Sequence, residues 1–397
     1  MEQLSERILG LSESATIAMS QKSRELQNQG VDVINLSLGE PDFNTPDFVN
    51  DAAKEGIDQN FTKYMPVPGY LDLRQAISKK FKRDNNLAYS VDQIVVSTGA
   101  KQSITNVVLC LINEGDEVLL PAPYWVTYAE IVKLAGGIPV FVDAGIDVDF
   151  KITAEQLQAK TTRNTKLMIY SSPCNPTGTV YTKNELRGIA NYFAENKGVN
   201  VIADEIYEHI TFEGKHESLA QFEDIYDQVI TINGVSKAFA MTGWRVGYMG
   251  APLWIAKACS KMQGQFTSGT CSISQRAAKA AVEAHPKETR YMTEAFDRRR
   301  KLAHGLLSEI PGLKINMPQG AFYFFPDVSS YFGKSDGKST INNSSDLSLY
   351  LLTQANVALV TGDAFGGPNC IRFSYAAADD LLIEAMARIK TALAKLN

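Results

Sequence analysis

Apolar runs that alternate with amphipathic stretches fill the middle of the chain. Each run has four or five residues rich in valine, isoleucine and leucine, and a glycine, a proline or a polar residue follows it. The predicted strands of this series are 94–97, 117–120, 138–142, 167–171, 199–203 and 229–232. Strands that alternate with helices form βαβ units, in which helices cover both faces of a parallel sheet. The pattern therefore predicts an α/β fold with a large domain built on a mainly parallel sheet.

The two ends of the chain show a different, mixed pattern. The predicted helices there cover 14–29, 47–58, 71–84, 287–309, 346–355 and 379–395. The predicted strands cover 31–36, 313–315, 321–325, 357–360 and 370–374, and a polar loop covers 334–345. Because 397 residues exceed what one hydrophobic core usually supports, we expect two domains, or one large domain with a satellite. Residues 1–47 and 290–397 would form a small α+β domain, and residues 48–289 the large domain.

Composition and charge exclude several classes of protein. Apolar residues make up 45% of the chain and charged residues 21%, as in soluble globular proteins. The net charge of −5 and the lack of a long basic run argue against a nucleic-acid partner. No apolar stretch is long enough to predict a membrane span, and the charged first residues do not form a secretory signal. The scattered cysteines and histidines have no metal-ligand spacing, so we expect a cytoplasmic protein with no metal site.

Polar and aromatic residues follow the predicted strands at the edge where open parallel sheets bind ligands. Gly99, Ala100 and Lys101 come after the first strand and open a helix. The free N–H groups and the dipole of a helix N-terminus can bind a phosphate. Trp125 follows the second strand, where its indole could stack on a flat ring, with packing into the core as the alternative.

Two further strand ends carry an amide and an acid. Asn175 lies between two prolines, so a rigid turn would aim its amide, with a simple turn as the alternative. Asp204 ends a buried run, and Tyr207 follows three residues later. A buried acid needs a partner to remain ionised, and the cation of a ligand would serve. Capping of the next helix is the alternative explanation for Asp204.

The last strand of the series leads into Ser236 and Lys237, and Arg245 follows a Thr-Gly turn. Apolar neighbours would desolvate the lysine and favour the neutral amine that attacks a carbonyl, with a solvated surface charge as the alternative. A nucleophilic amine, a buried acid, an aromatic ring for stacking and a phosphate-binding helix N-terminus together suit pyridoxal 5′-phosphate. A nicotinamide site would require GxGxxG after a strand, and residues 98–103 read TGAKQS instead.

The sequence resembles the class I aminotransferases of the fold-type I pyridoxal-phosphate superfamily, close to the bacterial aspartate/prephenate branch. The resemblance extends from Gly39 to Arg372, and its most specific motifs are NPTG at 175–178, DEIY at 204–207, SK at 236–237 and MTGWRVGY at 241–248. It implies a seven-stranded large-domain sheet. It also implies ping-pong transamination between aspartate or glutamate and a 2-oxo acid, which would be 2-oxoglutarate, oxaloacetate or prephenate.

The resemblance assigns the cofactor contacts. Lys237 would hold the cofactor covalently and move the proton, Asp204 would keep the ring nitrogen protonated, and Asn175 and Tyr207 would bind the ring 3′-oxygen. The remaining contacts, ring stacking and phosphate binding, would come from Trp125, Gly99, Ala100, Lys101, Ser236 and Arg245.

The resemblance also assigns the substrate contacts and an assembly. Arg372 would bind the α-carboxylate, beside Gly39, Asn175 and Trp125. The segment 265–270 offers no arginine for a distal carboxylate, so Lys101 with Thr16 is the candidate for that group. Tyr64 resembles the residue that contacts the phosphate of the neighbouring subunit, which implies a homodimer with shared sites.

Other functions remain open at this point. Another pyridoxal-phosphate enzyme of the same fold would keep the cofactor residues and differ at the substrate end. Examples are an aromatic aminotransferase, a C–S lyase, an α-oxoamine synthase and a cyclopropane-carboxylate synthase. A non-catalytic regulator that binds the cofactor is the alternative from another class, although no basic stripe or DNA-binding appendage is visible.

Overall fold

A computed structural model describes residues 4–397. The α-helices are α1 Glu6–Leu9, α2 Ala15–Asn28, α3 Asp47–Asp58, α4 Leu71–Asn85, α5 Ala100–Leu111, α6 Thr127–Leu134, α7 Ala154–Lys160, α8 Lys183–Glu195, α9 Leu253–Phe266, α10 Ser272–Glu283, α11 Arg290–Ser308, α12 Ser344–Gln354 and α13 Asp379–Leu393. The strands are β1 Ile34–Asn35, β2 Ile94–Ser97, β3 Glu117–Ala122, β4 Ile138–Asp143, β5 Thr165–Ser171, β6 Asn200–Asp204, β7 Val229–Gly234, β8 Gly247–Gly250, β9 Tyr323–Phe324, β10 Val357–Ala358, β11 Val360–Thr361 and β12 Ile371–Ser374.

A seven-stranded sheet with the order β2-β8-β7-β6-β5-β3-β4 forms the centre of the molecule. Its neighbouring strands are parallel from β7 to β4, and only β8 is antiparallel to both of its neighbours. Successive strand residues face opposite sides. Val201 and Ala203 therefore pack into one core and Ile202 into the other. Helices cover both faces, so the predicted α/β fold is confirmed.

The sequence pattern missed β8 and ended β7 too early. Gly247 and Gly250 lack the β-branched side chains that are typical of strands, so the sequence pattern of this segment does not predict a strand. Glycine is needed at Gly247 because an added Cβ would collide with the backbone of Ala100. Pairing with β8 then extends β7 to Gly234, two residues beyond the expected end at 232.

A separate core joins the two ends of the chain. Ile34 of β1 pairs with Val357 of β10 in a parallel two-stranded sheet, while β11, β12 and β9 form an antiparallel sheet. Side chains from β1, α11, α12 and α13 pack together in this core. We call it the terminal core. The domain limits at 47/48 and 289/290 stay a prediction.

Several short elements of the terminal core differ from the expected ones. The strand expected at 313–315 is only an isolated bridge between Lys314 and Asp327. The strand expected at 31–36 shrinks to β1, and the one at 357–360 divides into β10 and β11, which pair with different partners. A 3₁₀ turn over Pro286–Thr289 precedes α11, so this helix begins at Arg290 and not at 287 as expected. The polar loop stops at Asn343, whose side chain accepts a hydrogen bond from the Asp346 N–H and starts α12 two residues early.

A buried group of charges supports the loop after β6. Lys80 is 2% exposed, and its ammonium pairs with the Glu208 carboxylate and donates to Asn85 Oδ1 at 2.9 Å. Asp84, Glu208 and His209 lie close enough together to hold a metal ion. Here, however, Lys80 supplies the positive charge. Burial alone would raise the pKa of Glu208, but Lys80 and His209 hold that pKa well below its usual value.

Replacing Lys80 with methionine is expected to lower the free energy of unfolding by about 3–5 kcal/mol, because Glu208 then stays buried without its partner. Urea unfolding at neutral pH measures the effect. The exposed neighbour Lys79→Met serves as the control. Adding Glu208→Gln to the Lys80 variant should restore part of the loss. Equal urea midpoints for the Lys79 and Lys80 variants would contradict the structural role of the pair.

Candidate active site

A cavity of about 250 Å³ lies beyond the carboxyl ends of β5, β6 and β7. It is bounded on one side by these strand ends and on the other by residues of α2, β9 and β12. The candidate residues that line it are Thr16, Gly39, Ala100, Lys101, Trp125, Asn175, Asp204, Tyr207, Ser236, Lys237, Arg245 and Arg372. Gly99 and Tyr64 do not line it.

Lys237 follows β7 and extends into this cavity. Its Nζ donates a hydrogen bond to the carbonyl oxygen of Gly39 at 2.5 Å. Burial lowers the pKa of Lys237 to about 8, and the charges of Arg372 and Arg245 act in the same direction, while Glu40 opposes them. The neutral amine is therefore abundant at mildly alkaline pH, which makes this nitrogen a nucleophile.

Asp204 is the last residue of β6 and is only 4% exposed. Its Oδ2 accepts from the Tyr128 hydroxyl at 2.7 Å, and its Oδ1 accepts from the Ile206 N–H at 3.3 Å. Burial raises the pKa of Asp204 to about 6 despite these donors. Helix capping is the wrong explanation for this residue, because turns follow it rather than a helix. Within residues 4–397, no Lys, Arg or His nitrogen forms an ion pair with this carboxylate, so it suits the cation of a ligand.

Arg372 lies in β12 and is almost completely buried at 1% exposure. Its Nη1 donates to Asn175 Oδ1 at 2.9 Å and its Nη2 to the carbonyl oxygen of Ser37 at 2.5 Å. Its Nε has no partner among the described residues. The hydroxyl groups of Tyr207 and Tyr323 are 2.7 Å apart, and the Arg372 guanidinium lies 4.7 Å from the Tyr323 ring centre.

A cradle for an anion is formed where β2 leads into α5. Gly99 has a φ of +82°, which favours glycine, and an added Cβ would collide with the Arg245 guanidinium. Arg245 Nη1 donates to the Thr242 carbonyl oxygen at 2.8 Å, which orients the side chain. The N-terminus of α5 at Ala100 adds free N–H groups, and Ser236 lines the same space.

Lys101 and Trp125 lie next to each other on one wall of the cavity. The Lys101 Nζ is 4.9 Å from the Trp125 ring centre, a cation–π contact. Burial, and then the charge of Arg245, lowers the pKa of Lys101. Nearby, Thr16 of α2 has a buried hydroxyl with no hydrogen-bond partner in the described part of the chain. A polar group of a ligand would satisfy this hydroxyl.

Tyr64 lies apart from the other candidates. Its side chain is 97% exposed, on a loop outside the cavity of its own chain. A role for Tyr64 therefore requires another chain, and it stays a prediction.

Sequence reasoning missed Tyr128 and Tyr323. The position of Tyr128 three residues after Trp125, on the start of α6, is a signal that could have pointed to the site. Tyr323 gave no such signal, because it comes from a two-residue strand of the terminal core. Its contact with Tyr207 joins residues 116 positions apart.

The cavity fits pyridoxal 5′-phosphate. The cradle at Gly99 suits a phosphate, the unpaired buried Asp204 suits a ring nitrogen that carries a proton, and the amine of Lys237 suits an aldehyde. These features lie at the strand ends, and together they indicate an enzyme that uses pyridoxal 5′-phosphate.

Known proteins place the chain in a family. The family model for aminotransferase class I and II matches residues 31–389. The aspartate/prephenate aminotransferase of Cereibacter sphaeroides is 44% identical over 99% of both chains. A bifunctional aspartate aminotransferase and glutamate/aspartate-prephenate aminotransferase of Petunia hybrida is 47% identical, over 99% of this chain and 83% of that one.

Solved structures agree with this placement. The aspartate aminotransferase from Rhizobium meliloti superposes with a TM-score of 0.96 at 38% identity, with all of both chains covered. The enzyme from Thermus thermophilus, solved with maleate, has a TM-score of 0.93 at 37% identity over 99% of this chain and all of that one. The chain belongs to the class I and II aminotransferases, which use pyridoxal 5′-phosphate. The expected enzyme class and cofactor are thus confirmed.

Proposed function

We propose that this aminotransferase exchanges an amino group between aspartate or glutamate and 2-oxoglutarate or oxaloacetate, with prephenate as a further acceptor. The observation that carries the proposal is that Arg372 and Lys101 line the same cavity as Lys237. A dicarboxylic substrate needs one cation for each carboxylate. The names of the Cereibacter and Petunia relatives support the choice of substrates.

The cofactor is held by the residues at the strand ends. Asp204 would bind the protonated ring nitrogen, Tyr207 and Asn175 would bind the ring oxygen, and Lys237 would hold the cofactor covalently. Trp125 would stack on the ring, and the phosphate would be bound by the cradle of Gly99, Ala100, Ser236 and Arg245, beside Lys101. When bound, pyridoxal 5′-phosphate supplies an electron sink that stabilises the carbanion left when the amino acid loses its α-proton.

Arg372 binds the α-carboxylate of the substrate. Two parallel N–H groups of a guanidinium match the two oxygens of a carboxylate, which fixes the orientation as well as the position. Asn175 and the Ser37 carbonyl accept hydrogen bonds from the guanidinium and hold it in place. Gly39 leaves room there, because an added Cβ would collide with the Tyr323 hydroxyl.

Lys237 moves the proton. Once free of the cofactor, the Lys237 amine would accept the α-proton of the amino acid and pass it to the cofactor in one half-reaction, and in the other it would move a proton from the cofactor to the α-carbon of the 2-oxo acid. A pKa near 8 allows both transfers around neutral pH, since neither the charged nor the neutral amine is then rare. The two half-reactions follow each other in ping-pong order.

The enzyme acts in the cytoplasm as a homodimer. The 97% exposed Tyr64 supports this assembly, because tyrosine is enriched at interfaces between protein chains. The Tyr64 side chain would contact the phosphate that is bound in the active site of the neighbouring subunit. None of the helices in residues 4–397 is long and apolar enough to cross a membrane.

The experiment that tests the function mixes the purified protein with aspartate and 2-oxoglutarate. Formation of oxaloacetate and glutamate supports the proposal. Formation of ammonia and pyruvate from cystathionine, without oxaloacetate from aspartate, would support a C–S lyase instead. Phenylalanine with 2-oxoglutarate measures aromatic transamination under the same conditions.

Replacing Lys101 with methionine is expected to raise KM for aspartate by about 10- to 100-fold, because a charge-assisted hydrogen bond to the distal carboxylate is lost. KM for phenylalanine should change less than about threefold, since it has no such carboxylate. Steady-state kinetics with both substrates measure the difference. Lys261→Met, an exposed lysine on α9, is the control. An equal rise in KM for aspartate and for phenylalanine would show that Lys101 does not bind the distal carboxylate.

A further inference from the structure

Residues 37–45 connect the two halves of the active site, and we call them the bridging segment. Near its start, the Ser37 carbonyl accepts from Arg372 and the Gly39 carbonyl accepts from Lys237, each at 2.5 Å. Two main-chain oxygens of one short segment therefore contact the residue proposed for the substrate carboxylate and the residue proposed for the covalent bond.

The bridging segment is fastened to the terminal core by a charged pair. Asp42 accepts hydrogen bonds from Arg299 Nη1 at 2.7 Å and Nη2 at 2.8 Å, which is the strong bidentate arrangement. Arg299 lies on α11 with only 7% of its side chain exposed, while 30% of the Asp42 side chain is exposed. Phe43 packs edge-on against Phe296 of the same helix at 5.5 Å.

The same segment is also fastened to the loop that carries Lys237 and Arg245. The Thr45 hydroxyl donates to the Ala240 carbonyl oxygen at 2.7 Å and accepts from Trp244 Nε1 at 3.0 Å. The Thr242 hydroxyl donates to the Glu40 carboxylate. Contacts to the terminal core and contacts to residues 240–244 alternate along the bridging segment, so both parts hold it in place.

We propose that Asp42 and Arg299 are positioning residues for substrate binding. By fixing the bridging segment on α11, they hold the Ser37 carbonyl where it orients the buried guanidinium of Arg372. This inference rests on the proposed function, because it takes Arg372 as the residue that binds the α-carboxylate. The pair touches neither cofactor nor substrate, and it acts on the affinity for the carboxylate rather than on proton transfer.

The test compares the cofactor-loaded wild type with Asp42→Asn and Arg299→Lys. The first variant removes the charge but keeps the shape, and the second keeps the charge but loses the bidentate fork. KM for the amino acid is expected to rise about tenfold in both, with kcat within about threefold. Ethylamine, which has no carboxylate, should react with the bound cofactor equally well in all three proteins, as followed by absorbance. Asp42→Glu should restore part of the affinity.

Arg298→Gln is the matched control. Arg299 also donates through its Nε to Asp379 at 3.2 Å. Arg298 precedes Arg299 on α11 and likewise binds Asp379, but it does not bind Asp42 and its side chain is 61% exposed. Its KM should equal that of the wild type. The positioning role would be overturned if KM for the amino acid were unchanged in Asp42→Asn, or if it rose as much in Arg298→Gln as in Asp42→Asn. It would also be overturned if the reaction with ethylamine were weakened as much as the reaction with the amino acid.

The outcome separates this inference from the proposed function. A wild type that converts no dicarboxylic amino acid would contradict the proposed substrates. Every amino acid carries an α-carboxylate, however, so the comparison of variants is then made with whichever amino acid the wild type converts. A wild type that converts aspartate while Asp42→Asn behaves identically would contradict only the positioning role.

Discussion

Replacing Lys237 with alanine is expected to lower turnover by about four orders of magnitude or more, because one nitrogen serves as nucleophile and as proton carrier. Lys237→Arg should be equally inactive. A guanidinium keeps the positive charge near the Gly39 carbonyl, but it does not deprotonate at accessible pH and cannot attack an aldehyde. The pair of variants therefore separates the need for a nucleophile from the need for a cation. Turnover is measured with aspartate and 2-oxoglutarate.

The pH dependence of Lys237 gives a second measurement on the same residue. Burial lowers the pKa to about 8, so the fraction of neutral amine rises as the pH increases through this value and then levels off. The rate at which cofactor-free protein reacts with pyridoxal 5′-phosphate should follow that fraction. Lys257→Ala, an exposed lysine on α9, should react like the wild type. Turnover of the Lys237→Ala variant within tenfold of the wild type would refute the assignment.

Replacing Asp204 with asparagine is expected to have opposite effects on activity and stability. Activity should fall by at least about 100-fold, because a neutral amide does not hold the proton on the ring nitrogen and the electron sink weakens. Asparagine keeps the shape and an oxygen that can still accept from the Ile206 N–H. The loss therefore reports on the charge rather than on packing.

The stability effect follows from the pKa of the buried carboxyl group. In the folded protein without cofactor this pKa is raised from 3.8 to about 6 by burial. The stability that protonation contributes is fully present below pH 3.8 and is lost as the pH rises through about 6. At 1.36 kcal/mol per pH unit, the buried charge costs on the order of 3 kcal/mol at pH 8. Cofactor-free Asp204→Asn should therefore be the more stable protein at pH 8, and the difference should shrink towards pH 4.

Urea unfolding with and without cofactor measures this reversal. Saturating cofactor should stabilise the wild type more than the variant, because only the carboxylate gains a cationic partner. The exposed Asp227→Asn serves as the control and should respond to cofactor like the wild type. A variant less stable than the wild type at pH 8 without cofactor would show that Asp204 already has a charge partner in the protein.

The cofactor side of the site was predictable because it depends on local order in the chain. Parallel strands of similar length bring their carboxyl ends to one edge, so residues that follow β2, β5, β6 and β7 meet there without further information. Lys237, Asp204 and Asn175 line one cavity for this reason. Tyr64 could be proposed only from the family resemblance, since its own chain offers it no contact at the site.

The terminal core was less predictable because its elements are short and depend on partners far away in sequence. The two-residue strand β1 exists only because β10 pairs with it. In the central sheet, β7 likewise reaches Gly234 only because the unpredicted β8 lies beside it. Hydrophobic periodicity indicates which side of an element is buried, but it does not identify the partner. For this reason the expected strand at 313–315 was wrong.

Two kinds of information thus combine in this protein. The order of apolar runs and of the residues behind them determined the α/β fold and indicated the cofactor, because the ends of parallel strands converge at one edge of the sheet, while the aminotransferase class came from the family resemblance. Only the tertiary structure decided that Arg372 meets Ser37, that Tyr323 meets Tyr207, and that Asp42 meets Arg299 across 257 positions. Contacts over such separations arise from the packing of whole elements, and no local pattern of residues encodes them.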